Sequence, residues 1–143
     1  MIVMSAETGV VCFSGGKDST AMMIELLKRY YEEGDTELPV TRIIFADTGF
    51  EFPELIAYLK KIEVYIQERF DPELKVEFVK SPRTWEDWFY GEITRGHNKG
   101  KQRGAPLRAY PCWWARESKV QPLQRATKDA DIVYVGIAKD EEH

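Results

Sequence analysis

Six consecutive residues carry the first chemical signal: Ser14, Gly15, Gly16, Lys17, Asp18 and Ser19. Two glycines let the backbone turn tightly and approach a ligand with no Cβ in the way. A helix starting here offers unpaired N–H groups at the positive end of its dipole. Ser14 and Ser19 add hydroxyl donors and Lys17 a full positive charge. The segment therefore reads as a cradle for an anion such as a phosphate. It is not the Gly-x-x-x-x-Gly-Lys-Ser/Thr loop of many ATPases, because Val11 stands five positions before Gly16 and Asp18 follows Lys17. A carboxylate beside phosphates repels them unless a metal ion or a structural hydrogen bond offsets its charge. Asp18 is thus a candidate Mg²⁺ ligand, directly or through water. The plainer alternative is a Gly-Gly turn with Asp18 capping the helix.

Two other regions hold reactive or charged side chains. Cys112 has Arg108, Arg116 and Lys119 near it in sequence, and such cations favour the thiolate. The alternative is a half-buried structural thiol beside Trp113 and Trp114. Between Glu92 and Glu117 there is no acidic residue, while Arg95, Lys99, Lys101, Arg103, Arg108 and Arg116 all fall there, with His97. The chain carries a net charge of −4, and without these six charges it would carry −10. Trp85, Trp88, Trp113 and Trp114 flank the stretch, and Gly96, Gly100 and Gly104 loosen it. One reading is a mobile clamp on an anionic substrate, whether nucleotide phosphate, sulfate or a nucleic-acid strand stacked on tryptophan. Arg95, Lys99, Lys101, Arg103, Arg108 and Lys119 are its candidate anion-binding residues. The alternative is a solvated polar loop over packed tryptophans. His97 has no second metal ligand at helical or turn spacing.

The elements that must position these groups alternate along the chain. Val10-Val11-Cys12-Phe13, Ile43-Ile44-Phe45-Ala46, Val76-Glu77-Phe78-Val79 and Ile132-Val133-Tyr134-Val135 read as short strands. Cys12 is then a core residue. Met23, Leu26, Leu27 and Tyr30 recur at helical spacing over about residues 17–31, with Gly34 and Pro39 closing that unit. Pro53 suits the start of a second helix striped by Leu55, Leu59, Ile62 and Ile66. Thr84 can cap a short helix through Trp88 and Phe89. Residues 96–106 read as a polar loop. A helix over about residues 113–126 must be kinked or interrupted by Pro122. Alternation of this kind predicts an α/β fold: a three-layer parallel sheet with helices on both faces. Ligands of such sheets sit beyond the carboxyl ends of the strands. That selects residues 14–19, 47–49, 81–83 and those from Gly136 onward.

Composition narrows the class. At 143 residues, 43% of them hydrophobic, the chain fits one globular domain. Its acidic balance argues against a protein built mainly to coat nucleic acid. No apolar run nears the ~20 residues of a membrane span, and the N-terminus lacks a signal-peptide pattern. Cys12 and Cys112 alone cannot form a disulfide framework or a four-cysteine metal site, so no iron–sulfur cluster is expected. A reducing cytoplasm is the default compartment.

The motifs together resemble a known group. Ser14-Gly15-Gly16-Lys17-Asp18-Ser19 after the first strand resembles the PP-loop of N-type ATP pyrophosphatases and of the phosphoadenosine phosphosulfate (PAPS) reductase family, within the adenine nucleotide alpha-hydrolase-like superfamily. Residues 45–54, reading FADTGFEFPE, resemble the family's DTG-x-EFPE segment. Cys112 with Lys119-Val120-Gln121-Pro122-Leu123 resembles its cysteine-then-KVxPL segment. Gly136-Ile137-Ala138 with Glu141 resembles its GIR-x-x-E ending, with Ala138 where arginine is usual and Lys139 beside it.

The resemblance implies a PP-loop domain over residues 1–143 that binds an adenine nucleotide, ATP or PAPS. Its ligands are Ser14, Gly15, Gly16, Lys17, Asp18 and Ser19, with Ala46, Asp47, Thr48 and Gly49 beside the nucleoside. Lys17, Asp18 and Cys112 are the candidate catalytic residues. Two chemistries follow from it: thiol-dependent reduction of the sulfonucleotide, or attack on ATP with release of pyrophosphate. A thiol donor or sulfur carrier protein is the implied partner. The chain ends at Glu141-Glu142-His143, so the family's C-terminal cysteine tail is expected to be missing, as from a C-terminally truncated domain. A non-catalytic module that binds nucleotide or nucleic acid through residues 95–116 is the reading from another class.

Overall fold

The computed structural model describes residues 6–107 and 111–136. Four strands, β1 (Gly9–Cys12), β2 (Arg42–Ala46), β3 (Val76–Val79) and β4 (Ile132–Val135), pair in parallel in the order β3-β2-β1-β4. In this register Cys12 lies opposite Ile44 on one side and Val135 on the other. Beyond the strand ends, Phe13 N–H donates to the Ile44 carbonyl at 2.8 Å and Asp47 N–H to that of Val79 at 2.9 Å. These bonds fix the first residues of the loops that leave β1 and β2.

Side-chain alternation divides the sheet. Val11, Ile43, Phe45 and Val76 share one buried cluster with Met23 and Leu27 of α1 (Lys17–Leu27) and Leu59 and Ile66 of α2 (Pro53–Arg69). Burying each such side chain contributes about 1.5–3 kcal/mol. Val10 and Ile44 face the other way and are also buried, on the side where α5 (Gln121–Thr127) lies against β2 and β3. Arg42 joins that layer to the sheet edge. It donates to the Ala126 carbonyl at 2.8 Å and forks onto both carboxylate oxygens of Glu77. The fold is the expected three-layer α/β arrangement.

The helices start and stop for the expected reasons, with two differences. α1 continues into a π-helical turn, Lys28–Glu32, and the chain leaves it at Gly34, whose φ of +71° only glycine adopts cheaply. α2 has Pro53 at its start and Glu54 in its first turn. A reciprocal capping box opens α3 (Trp85–Phe89), in which Asp87 N–H donates to Thr84 Oγ1 at 3.1 Å and Thr84 N–H to Asp87 Oδ2 at 3.0 Å.

The first difference is the form of the interruption at Pro122. α4 (Trp113–Ala115), a π-helical turn (Arg116–Val120) and α5 follow one another without a gap. Gln121 N–H reaches back to the Arg116 carbonyl, five residues earlier. This widened turn accommodates a proline that has no N–H to give, so Pro122 interrupts the regular α-helix but does not end it. The second difference is in residues 96–106, where a polar loop was expected. Residues 91–104 are a loop folded back into an irregular hairpin, closed by one isolated antiparallel bridge between Glu92 and Gln102. Ile93 N–H donates to the Lys101 carbonyl, Gly100 N–H to that of Ile93, and Arg103 N–H to that of Gly91. Gly96, Gly100 and Gly104 all have φ between +67° and +84°, so the glycines shape turns here and do not merely loosen the chain.

No helix among the described residues is long and apolar enough to cross a membrane.

Gly9 is where β1 meets the loop before β2. A Cβ there would stand 1.8 Å from the Pro39 carbonyl oxygen and 2.9 Å from the Tyr134 ring. Gly9→Ala is expected to destabilise the fold by about 2–3 kcal/mol. The drop in urea midpoint at unchanged m-value checks this.

Candidate functional site

The six-residue loop occupies the turn from β1 into α1. Gly15 has φ +78°, a conformation that costs an L-residue about 1–2 kcal/mol. Gly16 is the N-cap of α1, in an extended conformation, and no side chain caps the helix. The alternative of an Asp18 cap is therefore not what the chain adopts. Asp18 lies in the first turn with its side chain exposed, beside an exposed Lys17.

The two serine hydroxyls hold the turn closed on itself. Ser14 Oγ and Ser19 Oγ are 2.8 Å apart, and Ser14 N–H donates to Ser19 Oγ at 3.2 Å. Gly16 N–H lies 3.3 Å from Ser14 Oγ, and Ser19 Oγ is 3.2 Å from the Gly16 carbonyl. Thr20 Oγ1 donates to that same carbonyl at 2.7 Å. Ser19 is only 3% exposed. The Lys17 and Asp18 amides, by contrast, donate to no acceptor among the described residues. The turn thus satisfies its hydroxyls internally and keeps its outward amides open at the positive end of α1.

A cleft of ≈ 180 Å³ opens beside this turn, past the carboxyl ends of β1, β2 and β4. Ser14, Ser19, Ala46, Lys119, Val135 and Gly136 are among its lining residues. This is the switch point of the sheet, where successive connections leave β1 in opposite directions. Close packing brings the far wall in, since a Cβ on Gly136 would lie 3.0 Å from Ser19 Cα. Cys12 also borders the cleft, and burial pushes its thiol up from its ordinary value. It is held as the neutral thiol and makes a poor nucleophile.

The loop after β2 forms the ridge between this cleft and another. Asp47 Oδ1 accepts the Gly49 N–H at 2.9 Å, and Gly49 turns with φ +81°. Thr48 Oγ1 donates to Glu51 Oε1 at 2.7 Å. Lys80 Nζ stands 3.4 Å from Asp47 Oδ2. On the other side lies a cleft of ≈ 290 Å³, bordered by Asp47, Thr48 and Gly49 and by Lys80, Arg83, Phe50, Trp85 and Trp114. Sequence reasoning marked residues 81–83 from their position after β3 but passed over Lys80 and Phe50. Phe50 packs edge-on to Trp85 at 5.9 Å and to Trp114 at 6.4 Å, a contact across three segments that no local pattern announces.

The remaining candidates are dispersed. Cys112 is exposed, and its Sγ accepts the Ala115 N–H at 3.4 Å as the N-cap of α4. It lines neither cleft. Arg95, Lys99 and Lys101 are exposed on the hairpin and also line neither cleft. Arg103 folds back, its guanidinium 4.9 Å from the Trp88 ring centre and 5.7 Å from that of Trp113. Arg108 lies outside the described residues, as do Ile137, Ala138, Lys139 and Glu141. Among the described residues no three His, Cys, Asp or Glu side chains gather as a metal site.

Residues 8–143 match the phosphoadenosine phosphosulfate reductase domain. The chain belongs to that family, which lies within the PP-loop adenine nucleotide alpha-hydrolase-like superfamily and is tied to adenine nucleotides and sulfur metabolism. It is also 29% identical over 136 residues to an uncharacterized protein of Methanocaldococcus jannaschii, covering 92% of this chain. The chain spans 23% of the length of that relative.

Ser19 is buried and bonded on three sides, so its hydroxyl serves the loop. Ser19→Ala is expected to cost about 1–2 kcal/mol. Thermal unfolding of the variant against the parent protein measures it.

Proposed function

We propose that this protein binds an adenine nucleotide, ATP or PAPS, with its phosphate or sulfate on residues 14–19 and its nucleoside in the adjoining switch-point cleft. The observation that carries this is the uncapped start of α1, with the Lys17 and Asp18 amides open beside that cleft. An anionic group there receives N–H donors, the dipole of α1 and the Lys17 ammonium together. Ala46, Asp47, Thr48 and Gly49 form the neighbouring wall, and Lys119 adds a positive charge at the rim. Ser14 and Ser19 act mainly by holding the turn in shape.

In the sulfonucleotide reading, a thiolate attacks the sulfate sulfur. A sulfur–sulfur bond forms, the bond from sulfur to the bridging phosphate oxygen breaks, and the nucleotide bisphosphate leaves. Cys12 is held as a neutral thiol and Cys112 caps α4 away from the clefts. In this reading a thiol donor or sulfur carrier protein supplies the thiolate.

A second reading, release of pyrophosphate from ATP, is favoured by Asp18. Its exposed carboxylate in the first turn suits Mg²⁺, which commonly binds through one carboxylate and the substrate's phosphates. Bound there, the ion would offset the carboxylate's repulsion and supply charge stabilisation for the leaving pyrophosphate. The open amides and Lys17 act on the same developing charge.

Calorimetric titration with ATP and with PAPS tests the binding. Saturable binding is expected, weakened about tenfold or more in Lys17→Ala by loss of a charge-assisted contact. No binding of either nucleotide, or Lys17→Ala indistinguishable from the parent, overturns the proposal. Sulfite or pyrophosphate among the products separates the two reactions.

A further inference from the structure

The geometry points to a docking surface for a single-stranded nucleic acid, made by the basic hairpin at residues 91–104 and the aromatic cleft beside it. The surface shares Asp47, Thr48 and Gly49 with the proposed nucleotide site, while its hairpin cations and the rings of Phe50, Trp85 and Trp114 lie outside that site.

Charge is the first argument. The whole chain is at −4, yet the hairpin exposes Arg95, Lys99 and Lys101, none of them paired with a carboxylate among the described residues. Lys101 Nζ reaches only the Asn98 side-chain oxygen, at 3.3 Å. Three unpaired basic side chains on a random loop would pay a large ordering cost on binding. Here the backbone is already ordered by cross-hairpin bonds and by turns at Gly96 and Asn98, where Lys99 N–H and Lys101 N–H donate to the carbonyls of those residues. The cations are presented by a preformed element, which lowers that cost.

Stacking is the second. Arg103 roots the hairpin on Trp88 and Trp113 by cation–π contact, and Arg83 lies 4.2 Å from the Trp88 ring centre. The adjacent ≈ 290 Å³ cleft combines Phe50, Trp85 and Trp114 with Lys80 and Arg83. Phe50 is 61% exposed, so its ring is open to a partner. Aromatic faces next to cations suit a strand whose bases stack while its phosphates pair. An acidic peptide would use the cations and leave the rings unpaired. Asp47 and Glu86 also line this cleft, and Lys80 Nζ stands 3.4 Å from Asp47 Oδ2, so the exposed cations of the hairpin supply the unpaired positive charge and the cleft supplies the rings. Asp47 and Gly49 border this cleft and form the loop that walls the nucleotide cleft, so a base held here would lie next to a nucleotide in the cradle.

Fluorescence anisotropy with labelled single-stranded DNA, single-stranded RNA and duplex DNA of about a dozen nucleotides tests the inference. Either single strand is expected to bind more tightly than the duplex and to quench tryptophan emission. Reversing the charges together (Arg95→Glu, Lys99→Glu, Lys101→Glu) should weaken binding at least tenfold. It should also flatten the dependence of log affinity on log salt by about 2, for three lost phosphate contacts. Phe50→Ala should weaken binding about fivefold or more and leave that slope unchanged. Lys17→Ala should bind the strand as the parent does, which separates this test from that of the nucleotide cradle. Circular dichroism verifies that each variant is folded. No binding at about 50 mM salt, duplex binding as tight as single-strand binding, or a folded charge-reversal variant with parental affinity overturns the inference. Polyglutamate competing as well as the oligonucleotide also overturns it, by showing a surface for acidic chains in general.

Discussion

Helix α1 begins on a glycine, and what fills its first turn decides what this fold can do. A side-chain cap at Gly16 would satisfy the orphan amides and abolish their pull on an anion. The chain avoids this in two ways. Gly15 takes a left-handed φ that swings the loop away from the helix axis, and the hydroxyls of Ser14, Ser19 and Thr20 bond within the turn. The sheet then sets where the open amides point. Parallel pairing of β1 with both β2 and β4 brings Ala46 and Gly136 to the same edge, and close contact of Gly136 with Ser19 narrows the opening between them.

Much of this was legible in the sequence because the signals are local. Four short apolar runs bounded by turn residues became four strands, and helical spacing of Met23 and Leu27 or of Leu59 and Ile66 placed two helices on one face. The loop's glycines, serines and lysine marked the turn into α1 by type and order alone. Where the reading went astray, the cause was a contact or a geometry with no local mark. Pro122 interrupts the regular α-helix as expected, but the form of the interruption, a π-helical turn just before it that carries the chain on without a gap, has no local mark. Glycines at 96, 100 and 104 look like flexibility until cross-chain bonds show them shaping a hairpin.

The aromatic cluster forms a second structural unit outside the main core. Trp85 stacks on Phe89 at 4.6 Å, Trp113 lies 6.4 Å from Trp88, and Arg83 and Arg103 rest on the same rings. None of the four tryptophans belongs to the cluster between the sheet and the two helices α1 and α2. The unit instead joins α3, the hairpin and α4 into a wall beside the loop that follows β2. The chain belongs to the phosphoadenosine phosphosulfate reductase domain family, and this wall gives it a surface of a different character from the switch-point cleft.

The account rests on open amides at the start of α1. Amide chemical shifts recorded while ATP is added to the folded protein report on them residue by residue. The account predicts that the largest changes fall on the amides of Lys17 and Asp18, with Gly136 following. If the nucleotide binds and shifts other parts of the sheet while those two amides stay in place, the account is wrong.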